Sequence, residues 1–457
     1  MSNGTVNILG AGLCGSLLAI MLARRGQEVV LWERQADPRL SKTIAGRSIN
    51  LALAARGIRA LQHAEVFAPV KELLVPMRGR MIHHPDGATE LQPYGSREHE
   101  QIYSVSRAEL NRILLNCAEQ EHGVTVNFGY SAKAFKPANH ELWLERSSDG
   151  ATHRLSSGPL IAADGAGSVV RRAYNGDSTI VPGEELLPHG YKELTLPAAA
   201  DGGFRLDPGA LHIWPRGGFM LIALPNPGGD FTLTLFMAKS GDISFESLQS
   251  VSDITAFFEE HFADILPQLP KLQAEFANNP VGILGTVRCQ RWNDGELLLI
   301  GDAAHAIVPF HGQGMNLAFE DCALLDLHVQ NSNGDWSAAF AAFAAEQQPN
   351  AEAIADMALD NYVEMRDRVR DPKFVLHKQL AFEFERRMPG RFIPRYSMVM
   401  FHPEIPYAVA QQRGAMQQRL LQEIAAGVNS VDEVDLSAAE DKIRSALPTL
   451  DEQQVSQ

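Results

Sequence analysis

"TVNILGAGLCGSLLAIMLARRGQEVVLWER", residues 5–34, decides how the rest of the chain is read. TVNIL (5–9) has the character of a buried strand. GAGLCG (10–15) follows with the spacing GxGxxG and opens an apolar helix, SLLAIMLARRG, that ends at Gly26. EVVLW (28–32) reads as a second strand ending at Glu33. Strand, glycine turn, helix and strand in that order form a βαβ unit. Each glycine has its own reason: Gly10 for the tight turn, Gly12 for close approach of backbone to a pyrophosphate, Gly15 for helix–strand packing. The phosphates belong at the positive helix N-terminus, and Glu33 accepts from ribose hydroxyls, which favours FAD or NAD over NADP at this site.

The chain has 457 residues, enough for two or three structural units. Its net charge of −15 is spread along the sequence and argues against nucleic acid or an anionic membrane as partner. Cys14, Cys117, Cys289 and Cys322 are far apart and make no CxxC pair, so neither a disulfide framework nor a zinc site is expected, and a cytoplasmic location fits. No signal peptide, spanning segment or C-terminal anchor is read.

Residues 102–128 repeat the strand, helix, strand pattern. Residues 211–237 instead alternate like an antiparallel meander around the turn RGG. Residues 337–370 and 376–390 read as helices, and the tail from about 408 as amphipathic helices. The expected fold is α/β: a Rossmann-like FAD-binding domain with an inserted antiparallel-sheet substrate domain and C-terminal helices. The expected boundaries give the FAD-binding domain residues 1–72, 101–182 and 285–370, the last with a connecting helix. The substrate domain takes 73–100 and 183–284, and the C-terminal helices 371–457.

LLLIGDAAHAIVPFHGQGMNLAFED (297–321) places an acid and a glycine-rich loop directly after a buried strand. In an open α/β sheet that is where ligands bind. Asp302 suits the hydroxyls of a sugar-alcohol chain, and the backbone amides of Gly314, Met315 and Asn316 suit a polar ring edge. LIAADGAGSVVRR (160–172) is a third strand of this kind, ending in Asp164. Leu13, Arg34 and Arg107 are grouped with these cofactor-binding candidates. His305 reads as structural.

GxGxxG near the N-terminus, a DG segment in the middle and a GD segment further on are similar to the single-component, FAD-dependent aromatic hydroxylases. GRSINLALAARG (46–57), MRGRMIH (77–83), LQPYG (91–95), PHGYKEL (188–194), LHIWPRG (211–217), PFHGQGMN (309–316), NYVEM (361–365) and RFIPRYSMV (391–399) together resemble the kynurenine 3-monooxygenase family, over about residues 5–410. Without that resemblance, Asn361 and Glu364 read as the solvated edge of an apolar helix face that includes Met365. With it, they face the polar ends of a substrate. The resemblance implies that Arg80, Tyr94 and Asn361 hold an amino-acid carboxylate with Tyr396 beside them. Leu211, Met220, Ile222, Leu224 and Phe236 read as core and, by the same resemblance, wall an aromatic pocket. Phe310 and His311 would face both flavin and substrate, and are grouped with Tyr396 as catalytic candidates.

The implied reaction uses bound FAD, with NADPH and O₂ as co-substrates, to hydroxylate L-kynurenine through a flavin C4a-hydroperoxide during tryptophan breakdown. The missing hydrophobic C-terminal anchor departs from the eukaryotic pattern and points to a soluble bacterial type, monomer or homodimer. A C-terminal segment covering the pocket is a further implication. Two alternatives remain open on the residues: a flavin hydroxylase of a phenolic acid, and a flavin-binding protein without turnover.

Overall fold

The computed structural model describes residues 4–40, 50–174, 182–368 and 371–450. Residues 46–49, which open the GRSINLALAARG segment, lie outside the described residues. The central sheet has six strands in the order Asn293–Asp294, Leu297–Leu299, Leu160–Ala162, Val6–Leu9, Val29–Glu33, Thr125–Phe128. All neighbours are parallel except the first pair. Val6–Leu9 is buried along its whole length, as expected of a strand covered on both faces. Its one polar residue, Asn7, accepts from the Trp32 indole N–H at 3.0 Å. The consequence for function is one of adjacency. The strands that lead into Asp302, Asp164, Gly10 and Glu33 are four consecutive neighbours in this sheet.

The strand Ile102–Ser106 does not join that sheet. It pairs antiparallel with Asn50–Leu53 and Val75–Met77 in a small sheet of its own. Apolar composition marked it as a strand but carried no information about its partner.

The second large sheet has seven strands, in the order Gly282–Cys289, Pro182–Leu196, Phe231–Ala238, Met220–Pro225, Ala210–Pro215, Gly79–His83, Thr89–Pro93. It is antiparallel apart from the pairing of Ala210–Pro215 with Gly79–His83. The strand Gly282–Cys289 runs across position 284/285, the expected limit of this domain. Side chains alternate as the pleat requires. Leu221, Leu233 and Leu235 pack with Phe257, Phe258 and Phe262 on one face, while Met220 and Phe236 pack with Phe310 and Tyr362 on the other. The second face is the one turned toward the opening of the central sheet.

Helices Trp336–Val363, Pro372–Arg387, Arg395–Phe401, Tyr407–Ile424 and Leu436–Ala446 complete the chain. Leu376, Leu380, Phe384, Phe392, Leu420 and Ile443 form a separate apolar cluster among them. Among the described residues no helix is long and apolar enough to cross a membrane.

The helix Leu13–Arg24 is tied to the helix Gly314–Asn331 through Asp326, whose side chain is 5 % exposed. Arg25 donates to both Asp326 oxygens, the Nη2–Oδ2 bond measuring 2.7 Å, and His63 Nε2 lies 2.7 Å from Oδ2. We expect Asp326→Ala to lower stability by about 2 kcal/mol, below the cost for a fully buried pair because Arg25 keeps some solvent. Urea unfolding of wild type and variant measures it, and an unchanged midpoint would show that the pair adds nothing.

Candidate functional site

The three glycines of the first motif have different surroundings. Gly10 has φ +100°, and a Cβ there would lie 2.4 Å from the Ala163 carbonyl oxygen. A Cβ on Gly15 would lie 2.0 Å from the Gly10 carbonyl oxygen. Both are required by the protein's own packing. A Cβ on Gly12 would meet nothing within 4 Å, so that glycine keeps open a space the chain does not fill. Gly12 also caps the helix Leu13–Arg24, whose first turn has no side-chain cap and no acid. The helix Gly314–Asn331 starts the same way, behind Gln313. Uncapped helix N-termini present free N–H donors and positive potential.

Acceptors surround this space. Glu33 Oε2 accepts from the Ala11 amide at 2.9 Å and Oε1 from the Gln35 amide at 2.8 Å, which orients the carboxylate and leaves lone pairs for a ribose. Asp164 Oδ2 accepts from the Val169 amide at 2.8 Å, while Oδ1 is buried with no hydrogen-bond partner. Burial pushes the Asp164 carboxyl pKa up. Asp302 is exposed at the start of the short helix Asp302–His305. Leu13 is buried; Arg34 and Arg107 are exposed.

One residue of this cleft was not found from sequence. Asn111 donates to the Ala11 carbonyl at 3.2 Å, and its Oδ1 is buried without a partner. It lies one helical turn after Arg107 on the helix Arg107–Asn116, and that spacing was the available signal. The Asn316 side chain, by contrast, is fully used by the fold. It donates to Ala52 and Gly312 carbonyls at 2.8 Å each and accepts from the Ala54 amide at 2.9 Å. Only the backbone at 314–316 remains for a ligand. His305 is structural, with Nε2 2.7 Å from Asp321 Oδ2 in the core.

On the substrate side, Met220, Phe236, Phe310 and Met365 share one apolar cluster, with Leu211 and Ile222 against it. Leu224 packs instead in the main core. Phe310 stands edge-on to Phe236, with centroids 5.0 Å apart, and stacks on Tyr362 at 4.0 Å. Tyr362 was missed, although it sits between Asn361 and the apolar face. Asn361 Nδ2 donates to the Phe310 carbonyl at 2.5 Å, so its amide holds the loop that carries Phe310 and His311.

Arg80 lies beside this cluster, 5 % exposed. Its guanidinium carbon is 5.0 Å from the Tyr396 ring centroid and 5.9 Å from that of Tyr94. Tyr94, Tyr396 and His311 form a continuous stack, with centroids 5.5 and 5.4 Å apart. Arg80 Nη1 reaches Glu364 Oε1 at 3.3 Å, and its Nε, like the Tyr94 hydroxyl, is buried with no hydrogen-bond partner. Burial opposes the Arg80 charge, but Tyr396 and Glu364 more than offset it and the pKa is raised. Enclosure pushes the Tyr396 phenol up to about 12 and raises the Tyr94 phenol well above its ordinary value, so both stay neutral donors. Burial, then Arg395 and Arg80, push His311 down to about 3, so its imidazole is neutral.

Arg80, Tyr94, His311, Asn361, Glu364 and Tyr396 all line one cavity of about 400 Å³. The C-terminal helices close its other side with Lys378 and Arg395, two cations that sequence reasoning missed because nothing local marks them. Burial, followed by the charge of Arg80, pushes Lys378 down to about 8. A second cavity, of about 620 Å³, is larger but holds none of the expected residues. Volume therefore does not choose the site; converging charge and aromatic walls do.

Residues 3–187 and 255–331 match the family described as an FAD binding domain. The chain is 47 % identical over 449 residues to "Kynurenine 3-monooxygenase" of Stenotrophomonas maltophilia, covering 98 % of each. It is 44 % identical over 453 residues to the protein of the same name in Xanthomonas axonopodis pv. citri, covering 99 % of each. Among solved structures, a tetrameric form of 2-methyl-3-hydroxypyridine-5-carboxylic acid oxygenase aligns with a TM-score of 0.65 at 20 % identity, over 81 % of this chain and 95 % of that one. At that identity the likeness concerns the fold. The open space at Gly12, the uncapped helix ends and the orphaned oxygens of Asp164 and Asn111 fit FAD.

The glycine geometry separates two outcomes. Gly12→Ala should keep apoprotein stability within about 0.5 kcal/mol yet weaken FAD binding at least ~10-fold, because the added methyl occupies the ligand's space. Gly15→Ala should cost about 3 kcal/mol by overpacking. Urea melts and flavin fluorescence titration read the two. FAD binding of wild-type strength in Gly12→Ala would move the pyrophosphate away from this turn.

Proposed function

The chain belongs to the kynurenine 3-monooxygenase family of FAD-dependent aromatic hydroxylases, and from that premise we propose that it converts L-kynurenine to 3-hydroxy-L-kynurenine with NADPH and O₂. The observation that carries the substrate is Arg80: a buried guanidinium with an unused Nε–H, flanked by two neutral phenols, in a cavity that Phe374, Phe382 and Phe392 also line; Leu211, Met220, Ile222, Phe236 and Phe310 do not line that cavity but form or abut the apolar cluster next to it. An α-amino acid with an aryl side chain has the matching polarity.

In this reading the substrate carboxylate takes paired hydrogen bonds from Arg80 and single ones from Tyr94 and Tyr396. Glu364, which pairs with Arg80 at 3.3 Å, also faces the substrate's ammonium group. Lys378 adds positive charge at the entrance. Leu211, Met220, Ile222, Phe236 and Phe310 hold the aniline ring and keep water out, which favours oxygen transfer over loss as H₂O₂. FAD, held by the Gly10–Gly15 turn, Glu33, Asp164, Asp302 and the amides at 314–316, supplies the redox chemistry and the activation of O₂. The aniline amine itself activates the ring carbon ortho to it. A neutral His311 is consistent with that, since it positions the ring and donates no imidazolium proton. The reading extends to a cytoplasmic enzyme, monomer or homodimer.

NADPH oxidation in air should accelerate with L-kynurenine and yield 3-hydroxykynurenine in step. Arg80→Met should retain FAD and raise KM at least ~100-fold, the worth of two charge-assisted hydrogen bonds. Stimulation by phenolic acids in place of kynurenine would sink the assignment.

Lys378 adds a pH signature. It is protonated below about 8 and neutral above, so anion capture is strong on the acid side and weakens as pH rises through that value. KM should climb above pH ~8 in wild type and lose that limb in Lys378→Met. The same limb in the variant would exclude Lys378.

A further inference from the structure

We propose that Glu100, Glu385 and His402 form a binding site for one divalent transition-metal ion, Zn²⁺ by its donor set, on the side of the molecule where the C-terminal helices meet the substrate sheet. The three residues come from separate elements: a loop after the strand Thr89–Pro93, the helix Pro372–Arg387, and the position just beyond the helix Arg395–Phe401. One ligand atom from each lies within 4.8 Å of the other two. The Glu100 and Glu385 side chains are each about 1 % to 3 % exposed by residue, and His402 is partly exposed.

The hydrogen bonds are what distinguish this cluster from a chance meeting of acids. Glu100 Oε2 accepts from the Arg97 amide at 2.9 Å, Glu385 Oε2 accepts from the Ser96 hydroxyl at 3.0 Å, and His402 Nδ1 lies 2.8 Å from Glu404 Oε1. Each side chain is thus held by one polar atom. Glu100 Oε1, Glu385 Oε1 and His402 Nε2 are each buried and without hydrogen-bond partners, in a cluster where one ligand atom of each residue lies within 4.8 Å of the others. Glu404 fixes the proton on Nδ1 and leaves the Nε2 lone pair inward, the carboxylate–histidine–metal arrangement.

Two carboxylates and an imidazole suit zinc with water as fourth ligand. Calcium wants six to eight oxygens and magnesium an octahedron of them. Bond lengths of about 2.0–2.2 Å require ligand separations near ~3.3 Å, so from separations within 4.8 Å the side chains draw in by up to about 1.5 Å. Arg97 Nη1 lies 3.6 Å from Glu100 Oε1, and its side chain, 43 % exposed, is free to swing to solvent as the ion takes over the charge balance. The expectation of no metal came from cysteine spacing, and these ligands, at 100, 385 and 402, have no spacing to read. Bound zinc would join the loop beside Tyr94 to the helices that carry Lys378 and Tyr396.

The test is equilibrium dialysis of the EDTA-treated, flavin-loaded full chain against micromolar Zn²⁺, with bound metal counted by mass spectrometry. One zinc per chain is expected, with a higher thermal midpoint. Glu385→Gln and His402→Gln should abolish it, and Glu404→Ala, on an exposed side chain, should weaken binding roughly 10–100-fold. Cys117→Ser is the control for the other candidate cluster, buried Cys117 with exposed Glu121 and half-buried His122, and should change nothing. Zinc-edge anomalous density in wild-type crystals places the ion even if a variant fails to fold. No stoichiometric zinc, binding that survives His402→Gln and Glu404→Ala unchanged, or density elsewhere only, would each overturn the site.

Discussion

Everything in the cofactor half depends on how closely Gly15 approaches Gly10. The 2.0 Å that would separate a Gly15 Cβ from the Gly10 carbonyl is no distance any side chain can occupy. The helix Leu13–Arg24 therefore lies tightly against the turn from which it springs. A second close approach, Gly10 to Ala163, sets the turn against the end of the neighbouring strand. Together they bring two separately coded segments to the C-terminal ends of adjacent parallel strands, and the strand Leu297–Leu299 adds the third. The site is a consequence of parallel strand order and of two glycines that admit no substitute.

The substrate half rests on charge held out of water. Burying a guanidinium is costly unless its partners repay the lost hydration. Here the repayment is incomplete: Glu364 binds one nitrogen at 3.3 Å, two ring faces lie within 6 Å, and Nε is left without a partner. Such a residue suits binding better than folding, because an anionic ligand would complete what the fold omits. Lys378 and Arg395 push the same cavity further positive, while His311 answers that field by staying neutral.

Local pattern was enough to nominate the residues of the proposed cofactor cleft. Gly10, Glu33, Asp164 and Asp302 sit at or just beyond strand ends, with Gly12 and Gly15 at the start of the helix that follows, and strand ends show in sequence as an apolar run broken by glycine or acid. Asn111 escaped because one amide on an amphipathic helix looks like any solvated position. The substrate clamp was legible only through family likeness. Arg80, Tyr94, Asn361 and Tyr396 are separated by up to hundreds of residues, and no periodicity connects them. Lys378, Arg395 and the cluster at Glu100 lie beyond even that, since long-range packing of the C-terminal helices creates them. Asn316 shows the other side of a motif residue: its side chain serves the fold, and its backbone, the part the sequence reading assigned, is what remains for a ligand.

The C-terminal helices are more than a cover for the pocket. Tyr407 donates to Gln313 Oε1 at 2.7 Å, and Gln313 Nε2 contacts Met400 Sδ at 2.9 Å. Arg56 pairs with Glu320 at 2.7 Å, donates to the Ile405 carbonyl and stacks on the Tyr407 ring at 3.8 Å. The loop 309–316 is thus gripped at Phe310 by Asn361, at Gln313 by Tyr407 and at Asn316 by the backbone of Ala52 and Ala54. That loop carries the amides proposed to meet the flavin on one end and Phe310 and His311 on the other. A displacement of the helix Tyr407–Ile424 must therefore reach both cofactor and substrate at once. Removing the chain beyond residue 400 would take away an anchor of the cofactor loop together with part of the pocket wall, and loss of flavin would accompany any loss of coupling.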